Sequence, residues 1–164
     1  MSSDKVTMTE IEQSTLDSVA RHRNTYVETG GREGHVWDFS AIGGHPFTTT
    51  LLLETFGRRS GERRITPLIY GDIHGEVLIV ASKGGADVHP GWYFNLAASD
   101  EATIRIGTQA FRATWREPQG EERERLWAFM EAVYPPYADY QKATGRRIPL
   151  ICFKPGAAVG VLQD

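Results

Sequence analysis

The spacing of the strand-forming segments is the strongest constraint on how this chain can fold. Thr48–Phe56 is rich in threonine and leucine, and the short runs Ile65–Tyr70 and Val77–Ala81 follow it. Thr103–Ile106 and Ala110–Trp115 make a second group across Gly107, and Ile148–Phe153 is a sixth segment. Inside the first group the breaks are Gly57–Arg63 and Gly71–Gly75, the second of hairpin size. A parallel crossover needs about a dozen residues or more, usually folded as a helix. These turns are too short for one, so the strands pair antiparallel. About six strands with few helices predict a mostly β, α+β domain, a small antiparallel barrel with helices on its outside and ends.

The helices fall around those strands. Ile11, Leu16, Val19, Ala20 and Val27 recur at loose helical spacing, Thr9 and Glu12 resemble a capping box, and Gly30-Gly31 stops the run. Residues 1–8 are polar and expected to fray. Pro90 opens a short helix through Trp92, Tyr93, Leu96 and Ala97. Glu121–Val133 is the clearest helix, with Leu126, Trp127, Met130 and Val133 on its apolar face and glutamates at its N-terminal dipole. Pro135-Pro136 breaks it, and a short helix over Tyr137–Ala143 follows. The expected organisation is a helical segment over 1–29, a barrel over 30–154 and a tail over 155–164. A chain of 164 residues, 40% hydrophobic, fits one core of this kind.

Several function classes lose support. The net charge is -3, whereas nucleic-acid binders are usually basic. Cys152 has no partner for an intrachain disulfide and reads as a small buried hydrophobe, so a reducing cytoplasm is the expected location. No apolar run is long enough to span a bilayer. No G-x-G-x-x-G follows a strand, and no Walker A motif occurs. His22, His35, His45, His74 and His89 lack metal-ligand spacing, so no metal is expected. In Gly57-x-x-Ser60-Gly61 the serine falls one place late for a hydrolase elbow.

Three constellations remain. Gly57-Arg58-Arg59-Ser60-Gly61-Glu62-Arg63-Arg64 puts four arginines in seven residues of a glycine-bounded turn. Arginine forks match phosphate and carboxylate oxygens, and glycine lets the backbone approach an anion. The competing reading is a solvated hairpin tip. Ala81-Ser82-Lys83-Gly84-Gly85 follows a strand and offers a hydroxyl, an ammonium and two glycines, either as a phosphate cup or as a plain loop. Tyr134, Tyr137 and Tyr140 recur by three around the proline break. They can line a pocket mouth or simply pack.

In one order along the chain, several blocks resemble the deazaflavin-dependent nitroreductase and quinone reductase family of actinobacteria. They are Thr55-Phe56-Gly57-Arg58-Arg59-Ser60-Gly61, Arg64-x-Thr66-Pro67-Leu68, Ala81-Ser82-Lys83-Gly84-Gly85, Pro90-x-Trp92-Tyr93-x-Asn95-Leu96, Tyr134-Pro135-x-Tyr137-x-x-Tyr140 and Arg147-Ile148-Pro149. The resemblance implies a split β-barrel like that of flavin mononucleotide (FMN)-binding oxidoreductases. It implies reduced coenzyme F420 as hydride donor, a deazaflavin with a phosphate and an oligoglutamate tail. It places Arg58, Arg59, Ser60, Gly61 and Arg64 on the phosphate and acidic tail. Thr66, Pro67, Ala81, Ser82, Lys83 and Gly84 would lie along the deazaflavin, with Gly91, Trp92 and Tyr93 beside it. Tyr134, Tyr137 and Tyr140 would wall the acceptor site, with Ser82 at the reacting ring.

The implied acceptor is a quinone, a nitroaromatic or an enone-like molecule. Hydride transfer needs binding and orientation more than an acid–base dyad, which suits the lack of a paired carboxylate or histidine site. Two alternatives stand: an FMN-dependent oxidoreductase on the same barrel, and a carrier that binds the deazaflavin without turnover. Arg21, His22 and Arg23 make the N-terminal helix too polar for firm membrane insertion. Peripheral contact with the inner face of the membrane and the oligomeric state stay open.

Overall fold

The computed structural model describes residues 8–160, with side chains from residue 17 onward. The expectation that residues 1–8 fray falls almost wholly outside that range. Helix α1 (Met8–Glu28) is followed by β1 (Val36–Trp37), β2 (Thr48–Phe56), β3 (Arg63–Ile69), β4 (Gly71–Ile73) and β5 (Glu76–Val80). Then come α2 (Gly91–Ala97), β6 (Glu101–Ile106), β7 (Gln109–Arg116), α3 (Gly120–Val133), α4 (Pro136–Lys142) and β8 (Leu150–Val159). Every strand pair is antiparallel, in the order β1-β2-β6-β7-β8-β5-β4 with β3 also on β2.

Closure depends on one bend. β3 pairs with β2 from Phe56↔Arg63 to Thr50↔Ile69, whereas β4 pairs with β5. Only Tyr70 separates β3 from β4, so one nearly continuous strand carries the sheet from β2 round to β5. The buried Tyr70 donates its N–H to Thr49 O at 3.1 Å, and its hydroxyl lies 2.7 Å from His35 Nε2. α3 presses against the bend: a Cβ on Gly71 would lie 2.8 Å from Phe129 Cε1 and 2.9 Å from Met130 Sδ. The segment Gly71–Gly75, read from sequence as a hairpin loop, is therefore mostly strand, and the turn shrinks to His74-Gly75. A run of three residues paired on one edge is too short to show periodicity.

Strand alternation builds two apolar layers. Leu51, Leu53, Ile79, Ile104, Ile151 and Phe153 fill the barrel with Trp92 and Leu96 of α2. Leu78, Val80, Leu150 and Cys152 point the other way, against Met130, Tyr134 and Tyr137. Each such Leu or Ile contributes about 1.5–3 kcal/mol on burial. β8 runs past its expected end at Phe153, because Ala158 and Val159 pair with Phe111 and Ala110.

α1 lies across β3. Arg23 Nε donates to Ile65 O at 3.0 Å, and buried His22 lies with Nε2 2.8 Å from Gly34 O. The Tyr26 hydroxyl donates to Thr50 O at 3.0 Å and accepts the Gly107 N–H at 2.8 Å. Two of the three residues that make this helix look polar, His22 and Arg23, thus face the barrel.

Candidate functional site

A cavity of about 300 Å³ opens where the bent strand, the turn after β5 and the α3–α4 junction meet. Pro67, Ser82, Lys83, Gly84 and Trp92 reach it, as do Tyr134, Tyr137 and Tyr140. Residues from four separate sequence blocks thus share one wall. Val19, His22 and Phe39 also line the cavity. The same three residues also border a second cavity of about 290 Å³ between α1 and the 37–42 loop.

The turn after β5 is built for close backbone approach. Ser82 is right-handed (φ -77, ψ -37), whereas Lys83, Gly84 and Gly85 have φ of 45, 63 and 86. A right-handed residue before a left-handed one turns successive N–H groups toward one side, a geometry that receives anions and polar oxygens. A left-handed lysine costs roughly 1–2 kcal/mol, so the surroundings must hold it. The Gly85 N–H bonds Ser82 O at 2.9 Å and the Ala86 N–H bonds Lys83 O at 3.2 Å. Gly85 rests on α4, where a Cβ would lie 3.0 Å from both Cα and O of Tyr140.

Behind the turn lies Arg146. It donates Nε to Ala86 O at 2.7 Å, Nη1 to Ala81 O at 3.2 Å and Nη2 to Ser82 O at 2.8 Å. Nη1 also lies 2.8 Å from His89 Nδ1. Guanidinium only donates, so His89 Nδ1 accepts and the ring is neutral. Burial first, then the Arg146 charge, holds His89 below its ordinary pKa.

The tyrosine wall is dense. Tyr134 and Tyr137 rings sit edge to face at 4.9 Å, and the Tyr134 and Tyr140 hydroxyls are 3.2 Å apart. The Tyr137 hydroxyl has no hydrogen-bond partner among the described residues. Burial, followed by the neighbouring phenols, pushes the pKa values of Tyr134 and Tyr137 well above the usual tyrosine value. Both remain neutral phenols across the physiological range.

The arginine turn lies elsewhere. Gly57 N–H bonds Glu62 O at 2.7 Å, and Gly61 N–H bonds Gly57 O at 2.8 Å. Buried Asn95 of α2 fastens it: its Oδ1 accepts the Arg58 N–H at 3.2 Å and Nη1 at 3.1 Å. Arg58 also lies 5.1 Å over the Phe94 ring. Arg64 pairs with Glu62 at 2.9 Å in the open, and Arg59 makes no such contact among the described residues. Ser60 Oγ accepts the Glu62 N–H at 3.1 Å and so braces the turn from within. None of Arg58, Arg59, Ser60, Gly61 and Arg64 lines the tyrosine cavity. β3 connects the two places: from Arg64 to Pro67 is about 10 Å of extended strand.

The other sequence candidates take lesser places. Thr66 pairs opposite Leu53 beside Pro67. Ala81 is buried behind the turn, and Gly91 is exposed at the start of α2. Tyr93 leaves the cavity to others and donates its hydroxyl to Glu117. His22 and Arg146 were not singled out as site residues by sequence. His22 sits three residues after Val19, so one α1 face aims both at the cavity, a spacing legible in retrospect. Arg146 gave no signal apart from lying next to Arg147 of the quoted block. Among the described residues no group of metal-ligating side chains converges, and no helix is long and apolar enough to cross a membrane.

Known proteins are similar to this chain over most of its length. A family model described as F420H(2)-dependent quinone reductase matches residues 19–155. The F420H(2)-dependent quinone reductase Rv1261c of Mycobacterium tuberculosis (strain ATCC 25618 / H37Rv) is 38% identical over 133 residues, 79% of this chain and 85% of that protein. A solved structure of an F420-H2 dependent reductase, FDR-A, is 41% identical, with a TM-score of 0.59 over 63% of this chain and 92% of its own. Another, described as a domain-swapped dimer, is 35% identical, with a TM-score of 0.61 over 85% of this chain and 98% of its own. The antiparallel barrel closed through β3 and β4 is the split β-barrel expected from the sequence. With most of its length matched by the family model and a relative of this identity, the chain belongs to the F420H2-dependent quinone reductase family.

Proposed function

We propose that this chain binds reduced coenzyme F420 and reduces a quinone. One observation carries the reading: a single cavity joins the Ser82-Lys83-Gly84 turn to the tyrosine wall. The residues suit the coenzyme. Pro67 and Trp92 offer apolar contact to a flat ring, and the turn presents backbone and ammonium to its polar edge. Arg58, Arg59 and Arg64 lie about 10 Å along β3, where charged side chains can reach a phosphate and carboxylates. When bound, the reduced deazaflavin supplies the hydride.

The protein's own share is position. The Tyr137 hydroxyl, unpartnered and neutral, donates a hydrogen bond to an acceptor oxygen. Its raised pKa makes it a donor that keeps its proton, so water delivers the proton that completes the reduced acceptor. A quinone carbonyl, a nitro oxygen and an enone carbonyl all present such an oxygen, so nitroaromatics and enones extend the same reading.

The test is titration of the purified protein with F420 and with FMN, followed by oxidation of reduced F420 with a quinone. Tighter binding of F420, weakened by salt, and steady turnover are expected. Equal or tighter FMN binding would overturn the cofactor. Binding without turnover by any quinone would leave a carrier.

A further inference from the structure

The turn after β5 holds three consecutive left-handed residues, one of them a lysine. Its two internal hydrogen bonds occupy Ser82 O and Lys83 O and leave the carbonyls of Ala81 and Ala86 to be satisfied from outside. One guanidinium does this for both and adds a second donor to Ser82 O. Arg146 reaches them from the loop between α4 and β8, more than fifty residues away in sequence. We propose that Arg146 is the positioning residue of the Ser82–Gly85 turn, and that its hydrogen bond to His89 makes this hold sensitive to protonation.

The argument is geometric. Three of the guanidinium's donors point at backbone oxygens on both flanks of the turn, so the arginine fixes the distance between those flanks. Its Nη1 also approaches His89 Nδ1 at 2.8 Å, and that contact requires a lone pair on Nδ1. A proton there replaces an attraction with the repulsion of two cations. The other groups around His89 do not substitute for the lost bond. On α2 the rings of Tyr93 and Phe94 lie 4.8 and 5.7 Å from it. Glu117, which accepts the Tyr93 hydroxyl, favours the charged imidazole less than burial and the Arg146 charge oppose it. Asp87 sits near Arg146 and takes the Thr144 hydroxyl at 2.8 Å.

The sign follows. Burial and Arg146 hold His89 below its ordinary value of 6.5, so the neutral ring prevails above that pH. The hold is complete there and is lost as pH falls through the lowered value. Only the consequence for coenzyme binding rests on the proposed function. The hold itself belongs to the free protein.

The experiment is amide hydrogen exchange of Gly85 and Ala86 in the free protein from pH 8 to 5, with Ile79 of β5 as the internal standard. Wild type, Arg146→Ala and His89→Asn are compared, the last retaining a side-chain acceptor that does not titrate. Protection of both amides should fall about tenfold in Arg146→Ala, the change expected for losing a charge-assisted bond, with Ile79 unchanged. In wild type the same protection should fall with pH, and in His89→Asn it should stay level. F420 affinity, titrated alongside, should follow the same pattern.

Equal protection in Arg146→Ala overturns the positioning role. A level wild-type profile, or an identical fall in His89→Asn, overturns the proton sensitivity. If Arg146→Ala does not fold, the pH series of wild type against His89→Asn decides both parts, since a fall confined to wild type requires the Arg146–His89 contact. If F420 fails to bind wild type, the proposed function is lost, while exchange still decides the role of Arg146.

Discussion

The tyrosine wall and the arginine turn are held in opposite ways. Tyr134 and Tyr137 are 3% and 4% exposed, lock ring against ring and are buried before any ligand arrives. Arg58, Arg59 and Arg64 are all exposed, and one of them is held only by an open ion pair with Glu62. Such a surface pair contributes about 0–1 kcal/mol, so little is lost when a ligand takes its place. In the proposed binding mode the wall fixes geometry and the turn supplies charge. A shape built into the core is also a stability element, whereas a charge on a solvated turn can change without the fold noticing.

Replacement of Tyr137 should produce the largest effect. Tyr137→Ala removes a buried ring from the layer beneath α3 and α4 and should cost about 3–5 kcal/mol of unfolding free energy by denaturant titration. A loss under 1 kcal/mol would show that the wall is not part of the core. Next comes Arg59→Ala, which should leave stability within about 0.5 kcal/mol and weaken F420 binding about tenfold, less so in high salt. Unchanged affinity would reduce the turn to a solvated hairpin tip. The smallest change is expected for Tyr137→Phe, which keeps the ring and removes the unpartnered hydroxyl. Stability and F420 affinity should hold, while quinone turnover drops roughly fivefold, the worth of about one hydrogen bond. Equal rates with a quinone and with a nitroaromatic in both proteins would show that the hydroxyl only packs.

These two regions were also unequally legible. The residues of the arginine turn are contiguous, so its composition and glycines could be read directly, and β2 has the limits its threonines and leucines suggested. The tyrosines announced themselves by spacing, but whether they met Ser82 depended on tertiary structure. Closure of the barrel at Tyr70 was invisible, because one strand passing between two partners has no periodic mark. β1 was missed because two residues cannot alternate; Trp37 there stacks on His22 at 4.2 Å. Arg146 was missed because it acts on carbonyls, and a carbonyl leaves no trace in sequence. The resemblance drew attention to Arg147, which is exposed, while its neighbour does the holding.

The place of β8 has a consequence for how the protein is made. It pairs with β5 as far apart as Val77↔Phe153, and with β7 out to Ala110↔Val159. Until it arrives, β5 and β7 each present an unpaired edge, and Leu78 and Ile79 lie uncovered. Non-local pairing of this kind is slow, and open apolar edges invite other chains. During synthesis the barrel passes through an interval in which nearly the whole sheet exists without its last member. Yield of soluble protein is then a race between docking of the final strand and association of unfinished chains, so slower synthesis at lower temperature should favour the folded product.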